Sequence, residues 1–223
     1  MGNDFVLEVN GRTFQAYMAG SGGPGVLLLH AWWGLTPFFK QQADRLAGEG
    51  YVVVAPNLFG DQTAATIAEA ESLMHLEHDD PAWFQTEALA ALDRLRESAT
   101  SGKLGIVGFS MGAAWASLLS TLRPDQVSAA VLFYGTYPLD FSAARADYLG
   151  HYAEKDEFES PEDVATMEAA LKKAGRSVTF YTYPGTGHWF FEDNQPAAYN
   201  AQAAGLAWRR TVEFLAERLK SPA

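Results

Sequence analysis

The 223-residue sequence contains no cysteine. That excludes disulfide bonds, zinc held by thiolates and a cysteine nucleophile. Positive charge is scarce as well: 16 Lys and Arg stand against 27 Asp and Glu, a formal net charge of −11. No five basic residues cluster, so nucleic acid and anionic membrane surfaces are poor partners. No apolar run approaches the length that spans a bilayer. The opening residues Met1, Gly2, Asn3 and Asp4 are not basic and precede no apolar signal core, so a cytoplasmic protein is expected. Internal repeats, low-complexity segments and Pro/Gly/Ser-rich linkers are missing too, which predicts one domain over 1–223 that buries about 70% of its unfolded surface.

What is present alternates. Residues 5–9 and 12–18 flank Asn10-Gly11, a hairpin turn signal. Continuous apolar runs follow at 25–30, 51–55, 103–107 and 127–134, with weaker strand patterns at 146–153 and 177–183. Unbroken apolar runs are how parallel strands covered on both sides read. Helical patterns lie between them. Thr36-Pro37 opens one, Asp80-Pro81 another, and Ser160-Pro161 with Asp163 as a capping box a third. The last, over 198–219, places Trp208, Val212, Leu215 and Leu219 on one face. The sum is an α/β chain with a mostly parallel central sheet, helices on both faces, and a ligand site at the carboxyl ends of the strands. Residues 62–79 carry an added helical pattern with two readings, a cap over the site or an ordinary connecting helix.

The chemistry starts at Gly108-Phe109-Ser110-Met111-Gly112, one serine between two glycines directly after an apolar run. This is the pattern of a nucleophile elbow, a tight strand-to-helix turn that lifts the hydroxyl off the sheet. Side chains at the glycines would collide with the strand or the incoming helix. A Gly-rich helix start after a strand also occurs in cofactor-binding folds, so the remaining residues decide. A serine hydroxyl needs a base, and the base needs an orienting group. His188 stands in the glycine-rich stretch Tyr183 to Trp189 after the last strand pattern, on the edge of the sheet where the elbow should lie. Asp156 follows the preceding strand pattern; Glu154 and Glu157 compete with it but read as surface carboxylates. Asp140, Asp147 and Asp193 read as capping or solvated groups. The chain order Ser, Asp, His is that of the α/β-hydrolases.

An oxyanion formed at Ser110 needs donors, each worth roughly 3 kcal/mol. The Met111 amide at the helix start is one candidate. The loop His30-Ala31-Trp32-Trp33-Gly34 approximates an HGxxG pattern and nominates the Trp32 amide. His30 itself reads as structural. His151 and the pair His75 and His78 have no cysteine and few acidic neighbours to complete a metal site, so no metal or cofactor is expected.

These segments resemble the dienelactone hydrolase family of α/β-hydrolases over nearly the whole length. The resemblance rests on HAWWGL at 30–35, GYVVVAPNLFG at 50–60, Lys103 to Ala113, VLFYG at 131–135, HYAEKD at 151–156 and YPGTGHWF at 183–190. It implies the roles of nucleophile, acid and base for Ser110, Asp156 and His188. It also exposes departures. Serine stands where the family usually has cysteine, and Ala31 where it often has a glutamate that helps activate the thiol; a serine enzyme dispenses with that carboxylate. The arginines that hold an anionic dienelactone are missing, since Trp189, Phe190, Phe191 and Glu192 follow the histidine and 61–80 has no Arg or Lys. Desolvating an unpaired carboxylate costs several kcal/mol, which disfavours an anionic substrate. Aromatic residues, above all Trp33, Tyr137 and Trp189, are candidates to wall a neutral one. The expected activity is cleavage of a small neutral ester or lactone. The alternatives are a thioesterase or peptidase on the same three residues, or a binding protein of the same fold.

Overall fold

The computed structural model describes residues 1–220 and, within them, every side chain except those at positions 77 and 78. The chain forms two compact units, Met1–Leu104 and the residues from Gly105 onward.

The first unit contains β1 (Asn3–Val9), β2 (Arg12–Ala19), β3 (Gly25–Leu29), α1 (Pro37–Gly48), β4 (Val52–Pro56), α2 (Ile67–Asp79) and α3 (Pro81–Ser98). Its strands run in the order β1-β2-β4-β3. β1 pairs antiparallel with β2 and β2 with β4, whereas β3 and β4 pair parallel. Asn10 and Gly11 both have positive φ, 51° and 76°, so Asn10-Gly11 makes the two-residue turn its sequence announces. Every residue of β3 and β4 is buried, as the unbroken apolar runs require of strands covered on both faces. α1 starts on Pro37, whose missing N–H costs nothing in a first turn. Asp80 caps α3 by accepting from Trp83 N–H. The helix over 62–79 begins at Ile67 with a complete capping box between Thr66 and Glu69. It buries Ala70 and Leu73 and leaves Ile67 and Leu76 exposed.

The second unit contains β5 (Leu104–Phe109), α4 (Met111–Leu122), β6 (Val127–Phe133), β7 (Asp147–Lys155), α5 (Pro161–Lys173), β8 (Val178–Gly187) and α6 (Ala201–Leu219), with strand order β5-β6-β7-β8. β6, β7 and β8 pair parallel.

Three boundaries differ from the sequence expectation. β8 does not stop at Tyr183: pairing resumes past an irregularity at Ala153/Lys155, where Lys155 meets Gly187, so Pro184 to Gly187 belong to the strand. α6 begins at Ala201, where Asn200 accepts from Ala203 N–H. Its buried residues are Ala203, Ala204, Ala207, Thr211, Leu215 and Leu219, so Leu215 and Leu219 face inward as expected while Trp208 and Val212 lie at the margin. The small residues let α6 pack on β6 and β7, where Thr211 reaches a buried histidine. The box at α5 is incomplete, because Ser160 accepts from Asp163 N–H but the Asp163 carboxylate turns to the Ser160 hydroxyl. Among the described residues no helix is long and apolar enough to cross a membrane.

Candidate active site

Ser110 follows the last residue of β5 and precedes the first of α4, with φ 51° and ψ −115°. That conformation is strained for a side-chain-bearing residue and is fixed from both sides. Ser110 N–H donates to Phe133 O at the end of β6, and Ser110 O accepts from Ala113 N–H. A Cβ at Gly108 would lie 2.2 Å from Gly112 O, so the glycine is a steric requirement of the helix folding back over the strand. Gly135 is a second such position, since its Cβ would meet Ser110 O at 2.4 Å. Met111 opens α4, where first-turn amides have no acceptor within the helix.

Asp156 and His188 arrive from the ends of β7 and β8. His188 Nδ1 lies 2.8 Å from each Asp156 carboxylate oxygen, and His188 Nε2 lies 3.0 Å from Ser110 Oγ. With the proton on Nδ1 donated to the carboxylate, Nε2 is left to accept from the serine hydroxyl. Asp156 is fixed in turn: Oδ1 accepts from Phe158 N–H and Glu159 N–H at 2.9 and 3.1 Å. Its side chain is 4% exposed and that of His188 5%. The carboxylate is therefore immobilised, and the imidazole plane with it.

The imidazole is enclosed by aromatic rings, two of them from segments distant in sequence. Tyr134 and Phe158 have ring centroids 4.8 Å from it, and Trp189 stands edge-on at 5.1 Å. Tyr134 and Trp189 also have positive φ, 37° and 63°. Tyr134 donates from its hydroxyl to Glu192 Oε1 at 2.8 Å; both residues are fully buried, and burial together with Glu192 holds the phenol well above its usual range. Glu159 is pushed up to about 7, mainly by burial, while its Oε2 accepts from Thr136 Oγ1 at 2.6 Å. Glu192 and Glu159 follow the histidine and the aspartate within four residues. Their buried partners, Tyr134 and Thr136, come from the segment after β6 and are set by the fold.

The other sequence candidates are distributed as follows. Trp32 and Trp33 occupy a turn of the first unit, where Gly34 N–H donates to Ala31 O and Trp33 O accepts from Ala64 N–H. The Trp33 ring is 3% exposed and lies edge-on to Trp32 at 5.4 Å, so it belongs to the packed interior of that unit. Tyr137, 42% exposed, lines a cavity of about 240 Å³ between the 136–141 loop and α5 that includes none of Ser110, Asp156 and His188. Trp189 adjoins the histidine, as its position predicts.

His30 is structural: its Nδ1 is 2.6 Å from Ala31 O, its Nε2 accepts from Leu58 N–H, and burial lowers it to about 4. His151 is fully buried with both ring nitrogens engaged, by Tyr183 Oη and Thr211 Oγ1. His75 is exposed, and the side chain of His78 lies outside the described residues. Among the described residues no three His, Asp or Glu side chains gather in a metal-holding group. Glu154 and Glu157 are exposed, Glu154 accepting from Gly185 N–H. Asp140 accepts from Ser142 N–H, Asp147 pairs with Arg218, and Asp193 is exposed.

Comparison with known proteins follows the same lines. The model of the dienelactone hydrolase family matches residues 13–219. "Protein usf" of Aquifex pyrophilus is 31% identical over 98% of this chain and 100% of its own length. An Aquifex aeolicus protein named "Putative carboxymethylenebutenolidase" is 30% identical over 99% of this chain and 100% of its own. A dienelactone hydrolase-like promiscuous phosphotriesterase from metagenomic libraries superposes with a TM-score of 0.88 at 19% identity, covering 98% of each chain. At that identity the likeness establishes the fold, the α/β-hydrolase fold.

Proposed function

The chain belongs to the dienelactone hydrolase family, and on that premise we propose that it is a serine hydrolase cleaving a neutral carboxylic ester or lactone through an acyl-enzyme. The observation that carries this reading is the continuous line Ser110 Oγ, His188 Nε2, His188 Nδ1, Asp156, at 3.0 and 2.8 Å.

Ser110 Oγ attacks the ester carbonyl while His188 Nε2 takes its proton. The imidazolium is stabilised by the Asp156 carboxylate, which stays ionised. Negative charge moves to the carbonyl oxygen, which accepts from the Met111 amide at the start of α4. Collapse expels the alkoxide, His188 returns the proton to it, and the alcohol departs. Water then repeats the sequence on the acyl-enzyme with His188 as base, releasing the carboxylic acid and restoring the serine. No cofactor enters.

A neutral substrate is favoured because the four residues after His188 supply three aromatic rings and Glu192, whose carboxylate is buried on Tyr134. None of the four is a cation that could pair with a carboxylate-bearing substrate. Phe158, 50% exposed, and Trp189 offer an apolar surface beside the base.

A fluorophosphonate probe tests the nucleophile. Wild type is expected to label stoichiometrically, and Ser110→Ala not at all. A folded wild type that hydrolyses no ester and never labels would leave a binding protein of the same fold. A panel of short-chain esters, lactones, thioesters and peptide anilides should rank neutral esters or lactones first. A clear preference for thioesters or anilides would overturn the substrate assignment.

A further inference from the structure

The first unit contains a second polar feature with no part in that chemistry. A cavity of about 530 Å³ opens between the β1–β2 turn, the segment after β4, and helices α2 and α3. Its volume falls within the range of small-molecule sites. Leu58, Phe59 and Phe84 line its inner wall, the two phenyl rings edge to face at 5.6 Å, and Leu76, 42% exposed, lies on its rim.

Glu87 also lines it. This carboxyl group is carried in the middle of α3 and the residue is 2% exposed. It takes a hydrogen bond from the Trp83 side chain, and its Oε2 is buried with no hydrogen-bond partner among the described residues. An unsatisfied buried carboxyl oxygen is costly and calls for an explanation. Among the described residues no donor complements this oxygen, and the cavity is where one can be supplied.

The protein's own side chains indicate the sign of the donor. The Arg12 guanidinium lies 4.4 Å above the Trp83 ring and 3.5 Å from Asp80, so a cation already rests on this aromatic face. That ion pair is weakly held, with side chains 60% and 51% exposed, and Arg12 can swing aside. Arg12 and Asp80 offset each other, which leaves the lining with the charge of Glu87.

We propose that this cavity is a binding site for a small organic cation, a primary ammonium group donating to Glu87 with an apolar body seated against Phe59, Phe84 and Leu76. The site lies wholly within the first unit and is independent of the role of Ser110.

Binding is coupled to protons. Burial raises Glu87 to about 7; the charged groups acting on it are Arg12 at the start of β2, which lowers it, and Asp80 between α2 and α3, which raises it. An ammonium ligand favours the ionised carboxylate, so affinity should increase from pH 6 to pH 8.

Isothermal titration of the full-length protein with phenethylammonium, 2-phenylethanol and 3-phenylpropionate tests this, because the three share a body and differ in head group. The ammonium should bind best, the alcohol and the carboxylate about tenfold or more weakly. Glu87→Gln should cost the ammonium about tenfold while leaving the alcohol unchanged, with ester hydrolysis at the wild-type rate as evidence of folding. Should that variant not fold, Arg12→Ala serves instead: it removes an exposed competing cation and should tighten ammonium binding severalfold. Equal affinity for alcohol and ammonium, tighter binding of the carboxylate, no binding at millimolar concentration, or an Arg12→Ala affinity at or below wild type would each overturn the proposal. None of these outcomes bears on the fluorophosphonate test.

Discussion

His151 and His188 present the same ring in the same unit, each with both nitrogens hydrogen-bonded, but the partners differ in charge. His151 sits mid-strand in β7, fully buried between Tyr183 Oη and Thr211 Oγ1 at 2.8 and 3.0 Å. Burial, reinforced by the Arg210 cation, pushes it down to about 3. Hydroxyls satisfy a neutral imidazole but bring no charge to offset an imidazolium. His188 sits just beyond β8, one nitrogen on the Asp156 carboxylate and the other on Ser110. Both rings are buried, so burial does not distinguish them. The charge of the partner does, and in a parallel sheet a carboxylate is affordable at a strand's carboxyl end, where loop amides can hold it.

The contrast can be broken from either side. The largest effect is expected for His188→Ala, which should lower kcat on a good ester by about 10⁴-fold to 10⁶-fold while keeping the circular dichroism of the wild type. Asp156→Asn should keep the geometry but favour the wrong tautomer, at a cost of about 10⁴-fold in kcat; loss of less than tenfold would remove Asp156 from the mechanism. His151→Ala should do the reverse. It leaves a cavity and two unpaired hydroxyls, costing about 2–4 kcal/mol in urea unfolding, with kcat of the folded protein within about threefold of wild type.

The smallest effect is on the slope of stability with pH. His30 and His151 are held down at about 4 and about 3. Below their unfolded value near 6.5 the unfolded chain therefore binds more protons, and stability falls as pH drops from there. In His151→Ala this acid loss should be shallower by about 1.4 kcal/mol per pH unit. Glu87 and Glu159, raised to about 7, act oppositely: the stability they contribute is present below their unfolded value and is lost as pH rises toward 7. Glu87→Gln should remove part of that decline, read from urea unfolding at pH 5, 6 and 7.

Much of this site is legible in the sequence where the constraint is local. Gly108 and Gly112 flank the serine because strand and helix touch there, and the contact geometry at Gly108 repeats that argument atom for atom. Asn10-Gly11 and the prolines at helix starts are of the same kind. The Thr66–Glu69 capping box is equally local, a threonine followed three residues later by a glutamate. What local pattern cannot supply is contact between strand ends. Pro184 to Gly187 read as a loop because the glycines say so, whereas the strand continues through them because Lys155 lies opposite Gly187. Phe158 meets the imidazole because the Asp156 carboxylate holds the amides of Phe158 and Glu159. Tyr137, a candidate wall residue, lines a cavity against α5 that includes none of Ser110, Asp156 and His188.

Among the described residues four non-glycine residues have positive φ: Asn10 lies in the hairpin turn and the other three are Ser110, Tyr134 and Trp189. Each such conformation costs about 1–3 kcal/mol, and the rest of the second unit must hold them there. A screen for heat resistance would consequently be drawn to these three places, where relief is available, and would harvest robust proteins that hydrolyse slowly. Selection for rate and selection for durability pull on the same three peptide units in opposite directions.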